Sequence, residues 1–153
     1  MKPRQYKIIL FVFIFTGLSY GQTAIEASLL VGVWNLDDTI SINSMELSQR
    51  AKWDTMPSEK QERILQHCKE RKLELTEEGQ YMLTLKNEKT SSGAWTYNPG
   101  TNSIEITHAN ERISNQMLKL LNTSQLVLVP EQKSHQPLLI SELHYIKTKT
   151  SIL

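Results

Sequence analysis

From Lys72 to Lys147 the chain is a series of short segments in which apolar and polar residues alternate, each cut off by turn-forming residues. A period of two sends successive side chains to opposite faces, so each segment reads as a half-buried β-strand. Leu73 and Leu75 alternate up to Glu77-Glu78-Gly79, and Tyr81, Leu83 and Leu85 follow that turn. The polar stretch Asn87 to Ser92 leads to Gly93, Trp95 and Tyr97, which end at Asn98-Pro99-Gly100, a strong turn signal. Ile104 and Ile106 mark the next strand. Arg112 to Leu121 and Gln125 to Val129 flank Asn122-Thr123-Ser124, and Leu138 to Lys147 follows the polar turn at Gln132 to Gln136. An earlier alternation, Leu30 to Ile42, sets Trp34, Leu36, Ile40 and Ile42 on one face, broken only by Asp38, and brings the count to eight strands.

Eight sequential strands with short connections predict an antiparallel meander, which removes its exposed edges by closing into an up-and-down barrel. A sandwich is the competing solution. The hairpin-length connections after Lys72 leave no long crossover for a Greek key and favour the barrel. The one long connection joins the first two strands. There Ser58 and Gln61 have the spacing of a capping box, and Ile64, Leu65 and Cys68 recur at helical spacing among charged residues. With a shorter helical stretch at Ser44 to Trp53, this gives a helical insert over about 43–71.

The first 21 residues carry the pattern of a cleavable secretory signal: Lys2, Arg4 and Lys7, then the eleven apolar-core residues Ile8 to Leu18, then Ser19-Tyr20-Gly21. Eleven residues fall short of the roughly 20 that a spanning helix requires. No cysteine stands at the cleavage point for a lipid anchor. The expectation is a secreted or periplasmic protein with no membrane anchor, a single domain over 22–153, and a monomer. Loss of three basic residues with the signal leaves 14 basic against 16 acidic, which excludes a basic surface for nucleic acid. A lone cysteine, Cys68, forms no internal disulfide and at its helical spacing is expected to be a small buried hydrophobe.

Residues that carry chemistry are sparse. His67, His108, His135 and His144 lack metal-ligand spacing and are read as solvated surface residues. No nucleophile elbow, phosphate-cradling loop or H-E-x-x-H is present, and of the pair Asp37-Asp38 a strand would turn only Asp38 inward. Asn122-Thr123-Ser124 matches a glycosylation sequon. Neither an enzyme nor a cofactor or metal is expected.

Two G-x-W triplets, Gly32-Val33-Trp34 on the first strand and Gly93-Ala94-Trp95 after the Glu78-Gly79 turn, give the chain a family likeness. With the meander and the signal, it resembles the lipocalin superfamily, and more closely the short bacterial secreted lipocalin-like domains. The resemblance implies that Trp34 plugs a closed barrel end, that Gly32 lets neighbouring backbone approach, and that a basic residue of the last strand, Lys147 or Lys149, covers the indole. Lysine stands where many relatives have arginine, so planar stacking is lost. A helix between the first two strands is similar to the fatty-acid-binding branch, but the R-x-Y signature of that branch is absent from His144-Tyr145-Ile146-Lys147.

Alternation turns Leu36, Ile40, Tyr81, Leu83, Trp95, Tyr97, Leu118, Leu128 and Tyr145 inward. They either fill the barrel or line a cavity in which the tyrosine hydroxyls orient a small apolar or amphipathic ligand. The resemblance implies the second. The rival is a protein-interaction module with a filled barrel, docking a partner through the insert and its Met45, Trp53 and Met56; an exposed Trp53 would favour it and a packed one would not.

Overall fold

The computed structural model describes residues 27–131 and 139–148. The signal segment, Lys149, His135 and the Gln132 to Gln136 turn lie outside the described residues. Eight strands, β1 (Gly32–Leu36), β2 (Lys72–Leu75), β3 (Gln80–Thr84), β4 (Thr90–Asn98), β5 (Ser103–His108), β6 (Ile113–Leu121), β7 (Gln125–Pro130) and β8 (Leu143–Lys147), pair in chain order and close into a barrel. Every pairing is antiparallel, and β1 closes the ring on β8 with Trp34 opposite Lys147 and Leu36 opposite Tyr145. Closure leaves no strand edge to template aggregation. The inward face of each strand supplies one core: Trp34, Leu73, Leu75, Tyr81, Trp95, Ile104, Ile106, Leu126, Leu128 and Tyr145 are all buried in it.

The first strand is shorter than its alternation suggests. It ends at Leu36, and Asp38–Asn43 is a helix, α2, preceded by the helical residues 27–30, α1. Asp37 is responsible: its backbone is extended and its Oδ1 accepts from the Ile40 amide at 2.9 Å, the geometry of an N-cap, with Asp38 adding a favourable charge to the first turn. Ile40 therefore stands on a helix with 39% of its surface exposed, not inside the barrel, and Asp38 is not an inward strand residue.

Two further helices, α3 (Leu47–Asp54) and α4 (Ser58–Lys69), complete the insert, which thus begins at Asp38. The capping box also moves. Pro57, not Ser58, precedes α4, and the Gln61 side-chain amide donates to the carbonyls of Trp53 (2.8 Å) and Met56 (3.2 Å), closing the end of α3. The reciprocal arrangement occurs at α3, where the Glu46 amide donates to Gln49 Oε1 at 3.0 Å. Trp53 is buried, 7% exposed, and so offers no docking anchor; Cys68 is buried in the barrel core, as its spacing implies.

The ends of the barrel differ. At one, Trp34 has no exposed surface and its indole N–H donates to the Leu30 carbonyl of α1 at 2.8 Å. Lys147 Nζ lies 4.8 Å from the indole centroid and donates to the Leu29 carbonyl. Gly32 makes this crossing feasible: a Cβ there would stand 2.5 Å from Lys147 Cε, and its φ of +142° suits glycine. What approaches Gly32 is the lysine side chain rather than neighbouring backbone. Backbone does approach the second glycine, Gly93, where a Cβ would lie 2.1 Å from the Thr107 carbonyl oxygen.

Candidate functional site

At the other end, where β3, β5 and β7 finish and β4 and β6 begin, the barrel holds a cavity of about 790 Å³. Its walls are more polar than the alternation suggests. Tyr81 and Leu83 of β3 contribute the apolar side with Pro130; Ser91, His108, Ser114 and Gln116 contribute hydroxyl, imidazole and amide groups from β4, β5 and β6. The register explains the grouping. Gly93 pairs with His108 and Ile106 with Ser114, so these polar residues continue the same inward rows as Trp95, Ile106 and Ile104, one step nearer the open end.

His108 is consequently not a surface residue. Its Nε2 is 2.9 Å from Ser114 Oγ, its Nδ1 is 3.4 Å from Ser91 Oγ, and its ring meets the Tyr81 ring edge-on at 5.9 Å. The two serines fix the imidazole plane whichever tautomer is present.

Arg71, the residue before β2, was given no role by its sequence context. Its Nε donates to the Tyr145 hydroxyl at 2.7 Å, and its side chain lines the cavity. Burial opposes the guanidinium charge, but Tyr145 offsets this, by its charge once the phenol ionises at high pH and by its hydrogen bond, and the group's pKa stands above its ordinary value. Neither phenol is a counter-ion at neutral pH. Burial, only partly countered by Arg71, pushes Tyr81 up to about 12 and raises Tyr145 as well. Burial likewise raises the Cys68 thiol. Among the described residues Arg71 makes no ion pair.

The other sequence-derived candidates are distributed around this site. Leu36, Trp95, Leu118, Leu128 and Tyr145 are packed in the core, and Trp95 donates its indole N–H to the Thr76 carbonyl at 3.1 Å. Tyr97 sits toward the plugged end, its hydroxyl 2.8 Å from Asn102 Oδ1, away from the cavity. Gly32, Trp34 and Lys147 form the plug already described. Asn122 is occupied in its turn, Oδ1 accepting from the amides of Ser124 (2.9 Å) and Gln125 (2.8 Å). No group of metal-ligating side chains occurs among the described residues. Arg71 carries no strand or helix periodicity, so only its position between a helix and a strand that enters the barrel could have drawn attention to it.

No family model matches the sequence, and no curated protein does. Among solved structures, the chain is similar to a DUF4847 family protein from Bacteroides vulgatus, at 14% identity and a TM-score of 0.49, over 80% of this chain and 96% of that one.

Proposed function

We propose that this is a secreted or periplasmic lipocalin-like binding protein that holds a small amphipathic molecule noncovalently at the open end of its barrel. The observation that carries this reading is the cavity of about 790 Å³ between β3, β4, β5 and β6, within the size range of small-molecule sites, in a barrel plugged at its other end by Trp34. Its mixed lining, Tyr81 and Leu83 against Ser91, His108 and Ser114, suits a molecule with an apolar body and polar groups rather than a purely apolar one. The role is binding rather than catalysis, by a monomer without cofactor. His108 and Ser114 share a hydrogen bond, but among the described residues no carboxylate hydrogen-bonds to the other imidazole nitrogen to orient it as a base.

The test is native mass spectrometry of the purified protein to detect a co-purified small molecule, with titration of Nile red as a polarity-sensitive probe. Saturable one-site binding that weakens in folded Tyr81→Ala supports the reading. Its absence in the well-folded protein turns attention to the rival reading, a partner docked on the insert, for which Leu47, 92% exposed on α3, is the first residue to substitute.

A further inference from the structure

An arginine placed in a barrel wall calls for an account of its charge. Arg71 has five N–H donors, and one of them, on Nε, is used by Tyr145, a residue only 2% exposed. The bond fixes the guanidinium with its Nε edge against the packed core. The terminal nitrogens make no hydrogen bond or ion pair among the described residues, and the side chain lines the cavity. The Tyr81 hydroxyl, on the same wall, likewise makes no hydrogen bond among the described residues. Gln116, also of the lining, has a buried Oε1 with no donor. A half-buried cation without a counter-ion is costly, and a buried acceptor without a donor costs free energy as well. One ligand could relieve both.

The geometry points to Arg71 as the anion-binding residue of the cavity, its two terminal nitrogens taking the carboxylate of a small organic acid whose body lies between Tyr81 and the β4–β6 wall. This rests on the ligand-binding reading above and names the class of ligand. A guanidinium edge presents two parallel N–H groups that match a carboxylate, and a fork already anchored at Nε loses little freedom on binding. The two other charged residues of the lining, Arg112 and Glu131, are of opposite sign, so the site offers about one net positive charge and suits a monoanion. The acceptor on Gln116 favours an acid that also carries a hydroxyl or amide donor.

Isothermal titration calorimetry of the purified protein with phenylacetate, 4-hydroxyphenylacetate, phenyl phosphate and the uncharged 2-phenylethanol tests this. Both carboxylates are expected to bind at least about tenfold more tightly than the alcohol. Arg71→Gln is expected to abolish that preference in a protein whose circular dichroism spectrum shows an intact barrel, and Arg71→Lys to restore part of it. Should both variants fail to fold, the terminal Nη–H resonances of Arg71 in the unaltered protein, followed on adding phenylacetate, give the same answer: a large shift supports direct contact and none overturns it. Equal affinity for acid and alcohol, or a folded Arg71→Gln that keeps the preference, overturns the assignment. Phenyl phosphate bound more tightly than the carboxylates overturns the choice of a monoanion. Nile red binding without acid preference removes Arg71's role but leaves the cavity reading standing, whereas no binding of any probe removes both.

Discussion

The ammonium of Lys147 lies 4.8 Å from the centre of the Trp34 ring and reaches past Gly32 to the Leu29 carbonyl. One side chain thereby ties the last strand to the first strand and to α1. Its partial burial lowers its pKa, the direction expected of an ammonium taken from water. Lys147→Met keeps most of the apolar stem and removes both the charge over the indole and the hydrogen bond. The loss should be about 1–2 kcal/mol, read as a lower urea midpoint with an unchanged slope. An unchanged midpoint would mean that the stem alone seals the plug.

The two G-x-W glycines should answer differently to alanine. At Gly32 the obstacle is a flexible lysine end together with a φ of +142°, so Gly32→Ala carries both a clash and backbone strain. Adding Lys147→Met to Gly32→Ala should recover only part of the stability, because a side chain still crosses the site and the strain remains. At Gly93 the obstacle is the Thr107 carbonyl oxygen, 2.1 Å from an added Cβ, within the β4–β5 ladder. Gly93→Ala should cost about 3 kcal/mol or more, with no second-site side chain able to rescue it. Thermal melts of the two single variants and the double variant check the order.

The strand count and the meander were legible because each rests on a local signal, alternation and turn residues; the plug at Trp34 was implied only by the resemblance that a glycine two places before a tryptophan carries. The end of β1 was not. Leu36 to Ile42 alternates well enough for a strand, but the Asp37 carboxylate caps a helix, and a single cap outweighs a pattern that is ambiguous over seven residues. Ile40 was misplaced for that reason alone. His108 escaped for another reason: an inward polar residue near a strand end cannot be told from a solvated one until the register sets it beside Ser91 and Ser114. Arg71 depends on a contact with Tyr145 across 74 positions of sequence, which no local pattern encodes.

Helix α2 is held by a short chain of hydrogen bonds open to dissection. The Asp37 Oδ1 caps it, the Ser41 hydroxyl donates to the Asp37 carbonyl at 2.7 Å, and the same hydroxyl accepts from the His144 amide at 3.1 Å, tying the helix to β8. Asp37→Ala should lower stability by about 1 kcal/mol. Ser41→Ala leaves the His144 amide without its acceptor and should cost about 1–3 kcal/mol. Hydrogen exchange should localise the second effect to the His144 amide, which loses protection while the amides of β4 and β5 keep theirs. Equal loss throughout the barrel would count against a local tie.

Alkaline titration reports on the cavity wall. In the unfolded chain Tyr81 ionises near pH 10, and in the folded protein burial raises that to about 12. The raised group contributes stability that is fully present below pH 10 and is lost as pH rises toward 12, because the unfolded state gives up its proton first. Two pKa units on a residue this buried correspond to a contribution on the order of 2 kcal/mol. Tyr145 is shifted in the same direction by its own burial, and Arg71 opposes both shifts. Urea midpoints measured from pH 9 to 12 should therefore fall more shallowly in Tyr81→Phe than in the unaltered protein. Removing the opposing cation with Arg71→Gln should raise the Tyr81 pKa further, seen as a later rise in phenolate absorbance. If the Tyr81→Phe midpoints follow the unaltered protein across the whole range, Tyr81 is not the group that titrates, and the wall is wetter than its packing implies.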